Sequence, residues 1–431
     1  MQMDWRSAGQ LSAVSLIDML IGAATFNSLG VVLPHMVEEL GWTWSQAGVG
    51  FTLLGAFCGG SAWLPPKVIR RFGVRATLMV GAVLLALGLF ALSSVTNLLH
   101  YYVGAALCGM AFQMMGAIPG TFIITRAFKE RRGAALGVYS TIGGFGNVLA
   151  PLMVLWVMGV TDDSWRAYWM AQSVTILVFG FACAAIIGLD ARFSRPAREE
   201  LAAPAHDKAP RSVGSHRIYR TPESWPVKAA TSTYQFYVLL AGYFASLFCL
   251  VTVTALSVGH LTERGVSAGV AAGMLSLEAL IAVVTRAAGG ALADHVDPRW
   301  LLTAALGAMS GGCLLLTFGQ SQPWLLLYAI GTGFGFGLAQ LCCTMLMLNY
   351  FGERHNLELF STMLLTGAAS ALGPVLGGVI RDTSGSFVGM FLLTGMASGA
   401  VCAACALMRP PRLLPGAQEP ATPLGGVVAG E

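Results

Sequence analysis

Charge is scarce in this chain. Only 11% of its 431 residues are Asp, Glu, Lys or Arg, while 55% are hydrophobic; a soluble domain carries about 25% charged residues. So few charges cannot coat a globule of this length, and the surrounding medium is expected to be largely lipid. The net charge of +4 is too small to form an electrostatic footprint for nucleic acid. All nine cysteines fall within long apolar runs, which excludes an extracellular disulfide framework. Cys402 and Cys405 form a CxxC on an apolar stretch without a loop or histidine, and are read as small packing residues. None of the seven histidines lies deep in an apolar run, which argues against a histidine proton relay. Metal-ligand clusters, nucleophile motifs and paired catalytic carboxylates are missing too, so neither an enzyme nor a bound cofactor or metal is expected. The first apolar run lacks a small-residue cleavage site, so a removed signal peptide is not expected.

Long apolar runs are abundant. A helix spanning a bilayer needs about 20 apolar residues, and twelve such runs can be read: 11–33, 46–66, 75–94, 98–124, 134–158, 166–188, 234–258, 267–292, 300–319, 323–348, 358–380 and 386–408. The chain is therefore expected to be all-α and polytopic, with twelve transmembrane helices. Between the sixth and seventh runs lies a stretch rich in Pro, Ala and charge, without an apolar period, read as a mostly flexible linker. Within it, Trp225 is a candidate interfacial residue. The expected organisation is a six-helix bundle over 1–189, a linker over 190–232, a second six-helix bundle over 233–409 and a tail over 410–431. Of the 25 Lys and Arg residues, 21 fall on the side that holds both termini. Cationic loops stay cytoplasmic, so both termini are expected inside, at a plasma or inner membrane.

The halves repeat. The segment 128-FKERRGAAL-136 matches 351-FGERHNLEL-359 at Phe, Glu, Arg and Leu, and 149-LAP-151 matches 372-LGP-374, all at an offset of 223 residues. Duplicated six-helix units related by an axis along the membrane normal are a transporter architecture. Two such units rocking about a central site give alternating access. Glycine-rich stretches such as 143-GGFG-146 and 331-GTGFGFG-337 let helices approach closely in lipid, for packing or for motion alike. No strand precedes 331–337, so it is not a nucleotide-binding fingerprint.

These residues resemble the major facilitator superfamily. The segment 290-GALAD-294 with Arg299 is similar to that superfamily's G-x-L-a-D loop motif. The equivalent loop of the first half, 65-PPKVIRRFGVR-75, keeps 72-FGVR-75 but lacks the aspartate. Four other stretches resemble the monocarboxylate transporter and oxalate–formate antiporter branch: 124-ITRAFKERRGAALGVYSTIGGFG-146, 38-EELGWTWSQAG-48, 230-ATSTYQFYVLLAGYF-244 and 373-GPVLGGVIRDTSGSF-387. The resemblance implies an arginine in the eighth helix that holds a substrate carboxylate, and Arg286 matches it in place. This chain departs from the branch at Ala282, where animal members have an acid. It departs again at Asn27, where they have a lysine.

Arg286 poses the main physical question. An arginine at mid-span costs roughly 2.5–3.5 kcal/mol on insertion scales, and eight residues from Asp294 it is about 12 Å deep. Facing the bundle interior, it needs an anion, and its guanidinium fork matches a carboxylate. That anion is either a substrate carboxylate or a fixed acid. Glu278, about 12 Å further along the helix and about 80° around it, is a candidate proton carrier or a glutamate bonded to a neighbouring helix. A carboxyl in a low-dielectric site favours its protonated form. Asp18 is a second candidate proton site, or a residue near the inner interface. Asn27, Gln113, Asn147 and Gln340 are candidates to line the cavity or to bridge helices. Asp294, Arg299, Arg131, Arg132, Glu353 and Arg354 form a candidate cytoplasmic gate, the basic ones also serving topology.

The expected function is secondary transport of a small monocarboxylate with proton symport, by a protein acting as a monomer in lipid. The alternatives are obligate organic-anion exchange and export of drug-like or hydrophobic compounds through the same fold.

Overall fold

The computed structural model describes residues 5–128, 132–190, 193, 218–221, 225–292, 295–352 and 355–411. Its regular structure, among the described residues, is helical throughout. The first half contains α1 (Trp5–Ala24), α2 (Phe26–Leu40), α3 (Trp44–Gly60), α4 (Leu64–Ser93), α5 (Leu98–Met115), α6 (Ala117–Ala127), α7 (Arg132–Val160) and α8 (Trp165–Gly188). After a short α9 (Val227–Thr231), the second half contains α10 (Tyr234–Glu263), α11 (Ala268–Leu292), α12 (Pro298–Phe318), α13 (Gln322–Phe351), α14 (Asn356–Ala369), α15 (Gly373–Ser384) and α16 (Val388–Leu407).

Among the described residues these helices form twelve candidate crossings, one for each apolar run. Three crossings are broken in two, and each break has a local cause. Pro119 and Pro374 lack the N–H that would continue a helix, so α5 stops before α6 at Gly116 and α14 stops before α15 at residues 370–372. Between α1 and α2, Thr25 leaves helical geometry (φ −118°, ψ −108°) and donates its hydroxyl to the Ile21 carbonyl (2.7 Å). By length and composition eleven of them, each broken pair taken as one span, are able to cross a membrane. The twelfth, α3, is apolar but only 17 residues long.

The halves meet along α3 with α15, α7 with α11, and α2 with α10. The first two pairs join crossing 2 to 11 and crossing 5 to 8. A shift of six crossings exchanges one pair for the other, which is what a two-fold relation between halves requires. Side-chain hydrogen bonds also cross between the halves. Asp382 accepts from the backbone N–H of Trp44 (3.0 Å) and of Ser45 (2.8 Å), and Thr52 donates to the Ala371 carbonyl (2.6 Å). The two Asp382 bonds lie at the end of the molecule opposite the termini.

Most of the linker over 190–232 lies outside the described residues. Its end next to the second half is docked: Thr221 N–H donates to the Asn349 carbonyl (2.8 Å), Trp225 N–H to the Phe351 carbonyl (3.0 Å), and Trp225 is buried. An indole that can bury itself against Phe351, with ring centroids 5.6 Å apart, holds this segment to the second half. The seventh apolar run extends beyond residue 258: α10 ends at Glu263, and His260 lies in its last turn. It is buried, 2.9 Å from the Leu316 carbonyl.

Candidate functional site

Because α11 is continuous from Ala268 to Leu292, Glu278 and Arg286 keep their eight-residue separation and point in different directions. Arg286 points to the boundary between halves. Its side chain is exposed, with the Phe336 ring of α13 beside it (5.2 Å to the centroid). Asp18 of α1, from the other half, is the acid within its electrostatic reach. No direct salt bridge joins the two. Direct ion pairs form instead between Arg166 and Glu39 and between Arg381 and Glu263, both at the end opposite the termini.

Asp18 is seated by its neighbours. Its carboxylate occupies the space that a Cβ at Gly143 of α7 would take, and the Tyr139 hydroxyl faces it. One helical turn separates Tyr139 from Gly143 and another separates Gly143 from Asn147. All three therefore share the face of α7 that packs on α1 and α2. The Asn147 side chain lies against Gly22, and the Asn147 backbone carbonyl accepts from the Asn27 side-chain amide (3.0 Å). Asn27 and Asn147 are thereby joined to each other, bridging α2 and α7. Gln113 likewise turns to the Cys58 sulfur (3.6 Å), bridging α5 and α3. Gln340 is half-buried on α13, one turn beyond Phe336.

Glu278 points into the second half. It is buried at 3% exposure, and one carboxylate oxygen has no hydrogen-bond partner among the described residues. Thr332 of α13 flanks it, with Tyr328 one turn away. Among the described residues, no basic side chain is beside it. Glu278 and Arg286 thus belong to separate environments, one inside a bundle and one between bundles.

Of the candidate gate, Asp294, Arg131, Glu353 and Arg354 lie outside the described residues, as does the side chain of Arg132. Arg299 is described: it donates to the Met408 carbonyl and lies over Trp300 (4.6 Å), within its own half.

Tyr139, Phe336, Tyr328 and Thr332 were not singled out from sequence. Tyr139 had a signal, the i, i+4, i+8 spacing of Tyr, Gly and Asn in 139-YSTIGGFGN-147. Phe336 and Thr332 share a face of α13 at the same four-residue spacing, but nothing in the sequence tells which face meets Arg286. As chemistry, a reachable guanidinium opposite a carboxylate can hold and release an anion; among the described residues, no nucleophile is aligned with a base.

Known proteins agree with this architecture. The riboflavin transporter MCH5 of Saccharomyces cerevisiae is 24% identical over 391 residues, 87% of this chain and 73% of its own. Monocarboxylate transporter 13 of Rattus norvegicus is 25% identical over 328 residues, 75% of this chain and 71% of its own. Among solved structures, the peptide transporter POT in complex with sulfate superposes with a TM-score of 0.69 at 14% identity, covering 92% of this chain and 93% of that one. Residues 16–362 match the model of the Major Facilitator Superfamily, and the chain belongs to that superfamily as a membrane transporter, not an enzyme.

Proposed function

We propose that this transporter carries a small monocarboxylate by alternating access, with a proton as the co-transported ion. The observation that carries the reading is Arg286 standing between the halves with Asp18 opposite it. A guanidinium offers a carboxylate two parallel hydrogen bonds, and a bare cation at this depth is costly. It needs an anion in every state of the cycle. The cargo supplies one when the carrier is loaded, and Asp18 supplies one when it is empty. A carrier whose cation can be neutralised without cargo returns empty, as symport requires; one that cannot is confined to exchange.

Energetics favour the proton. Moving one negative charge inward against about 100 mV costs about 2.3 kcal/mol, and a co-moving proton removes that cost. Glu278 is the proposed carrier of that proton, since a buried carboxyl without a cation beside it is accommodated most cheaply as the neutral acid. The similarity to a protein named monocarboxylate transporter supports the cargo class. The bias of Lys and Arg assigns the termini to the cytoplasm, and with it the Asp382 end to the outside of a plasma or inner membrane. A single chain contains both halves, so a monomer suffices.

The test is uptake of labelled small monocarboxylates into vesicles containing the purified protein, with and without an imposed pH gradient and with and without internal anion. The reading expects uptake into empty vesicles, driven by the gradient. Uptake that needs internal anion and ignores the gradient assigns the protein to exchange instead.

A further inference from the structure

A cavity of about 250 Å³ opens between α4 and α6, wholly within the first half and away from Arg286. Pro66 and Ile69 of α4 face Ile118, Thr121, Phe122 and Thr125 of α6 across it. Both threonine hydroxyls are turned to their own helix, Thr121 donating to the Ala117 carbonyl (2.7 Å) and Thr125 to the Thr121 carbonyl (2.8 Å). What they leave facing the slot is methyl. The walls are apolar, and suit hydrocarbon rather than a polar cargo.

The helix segment that carries Pro66 and Ile69 is basic. Gly73, at φ +86° and ψ 164°, separates residues 64–72 of α4 from the rest of the helix as an arm. The arm exposes Lys67, Arg70 and Arg71 and has Trp63 and Phe72 at its ends, 58% and 56% exposed. Lys67 lies over Trp63 (4.2 Å) and Arg71 over Phe72 (5.3 Å). Across the slot, the Arg126 guanidinium sits 4.0 Å over Phe122, itself a wall residue. No acid occurs in 64–75. A short helix with basic residues and exposed aromatic rings is what lies in a bilayer interface, and basic clusters there attract anionic headgroups.

We propose that this slot holds an acyl chain of an anionic phospholipid, with Lys67 and Arg70 of the arm receiving its phosphate. The lipid belongs to the leaflet on the side of the termini. The basic arm selects the headgroup and the apolar walls select the chain. This makes the slot a lipid site distinct from the cargo site.

Native mass spectrometry of the full chain in non-ionic detergent, titrated with phosphatidylglycerol or phosphatidylcholine of matched acyl chains, tests it. One phosphatidylglycerol is expected to be retained over phosphatidylcholine. The Lys67→Gln/Arg70→Gln variant is expected to lower its affinity roughly thirtyfold. Thr125→Phe, which fills the slot, is expected to abolish retention. Equal retention of the two lipids, or full retention by Thr125→Phe, overturns the proposal. If a variant folds poorly, the wild-type chain is cross-linked with a phosphatidylglycerol bearing a photoreactive acyl chain. Label on 64–72 or 117–127 supports the slot; label only elsewhere overturns it.

Discussion

The Asp382 carboxylate bonds one oxygen to the Trp44 N–H (3.0 Å) and the other to the Ser45 N–H (2.8 Å), so an acid of one half caps the first turn of α3 in the other. Negative charge at a helix N-terminus is favourable, and a carboxylate makes a stronger bond than a neutral acceptor. Trp44 completes the contact. It is buried, meets Phe387 edge-on (4.8 Å, 86°), and its backbone lies where a Cβ at Gly378 would stand. We expect Asp382→Asn to weaken closure of this end by about 1 kcal/mol, roughly a fivefold shift toward the open arrangement. Pulsed spin-label distances between Glu38 and Ser384 would show it as a larger long-distance population. An unchanged distribution would mean that the cap follows closure rather than supporting it.

Those two segments, 38–48 and 373–387, both carry the family resemblance, yet nothing in either sequence says that they touch each other. That is the general limit of legibility here. The twelve crossings could be read because each leaves a run of apolar residues in the sequence. The repeat could be read because a constant offset survives in 128–136 and 351–359. Arg286 could be singled out because a cation amid apolar residues is conspicuous. Its surroundings could not: Asp18 lies 268 positions earlier, and only the packing of α7 on α11 and on α1 brings it opposite. Glu278 shows the same limit. Its angle from Arg286 follows from helix geometry, but whether that angle turns it to the boundary or into the bundle depends on how α11 is rolled.

Arg286 is expected to distinguish the cargo classes. Arg286→Lys keeps the charge and loses the two-pronged geometry, so carboxylate uptake should fall roughly tenfold or more, chiefly through KM. Arg286→Ala should abolish it. Initial rates over a range of carboxylate concentration in vesicles provide the check. A chain that still moves a neutral drug-like compound after Arg286→Ala, with carboxylate never transported by the wild type, is an exporter of such compounds.

Gly143 gives access to Asp18 without altering any charge. A methyl group at 143 would enter the space of the Asp18 carboxylate, so Gly143→Ala should displace the acid from its seat beside Tyr139. Net uptake into empty vesicles should drop several-fold while exchange between internal and external anion persists, and Asp18→Asn should do the same more completely. Equal loss of both modes in both variants would identify Asp18 as a packing residue.

Glu278 provides the sharpest test of proton coupling. An amide has nearly the shape of the carboxyl but cannot take up or release a proton, so Glu278→Gln imitates the protonated carrier. Its surroundings suit a neutral group: one oxygen has no partner among the described residues, and Thr332 and Tyr328 are the polar neighbours. The variant is therefore expected to fold with an unchanged or slightly raised melting temperature. Substrate should still bind, because Arg286 faces another way, and a carboxylate that raises the melting temperature of the wild type should also raise that of the variant. What should disappear is the response to a pH gradient. Uptake would become independent of the imposed gradient, while exchange continued near the wild-type rate. If gradient-driven uptake survives in Glu278→Gln but not in Asp18→Asn, the proton travels on Asp18, beside the arginine, and Glu278 is an internal acid of the second bundle.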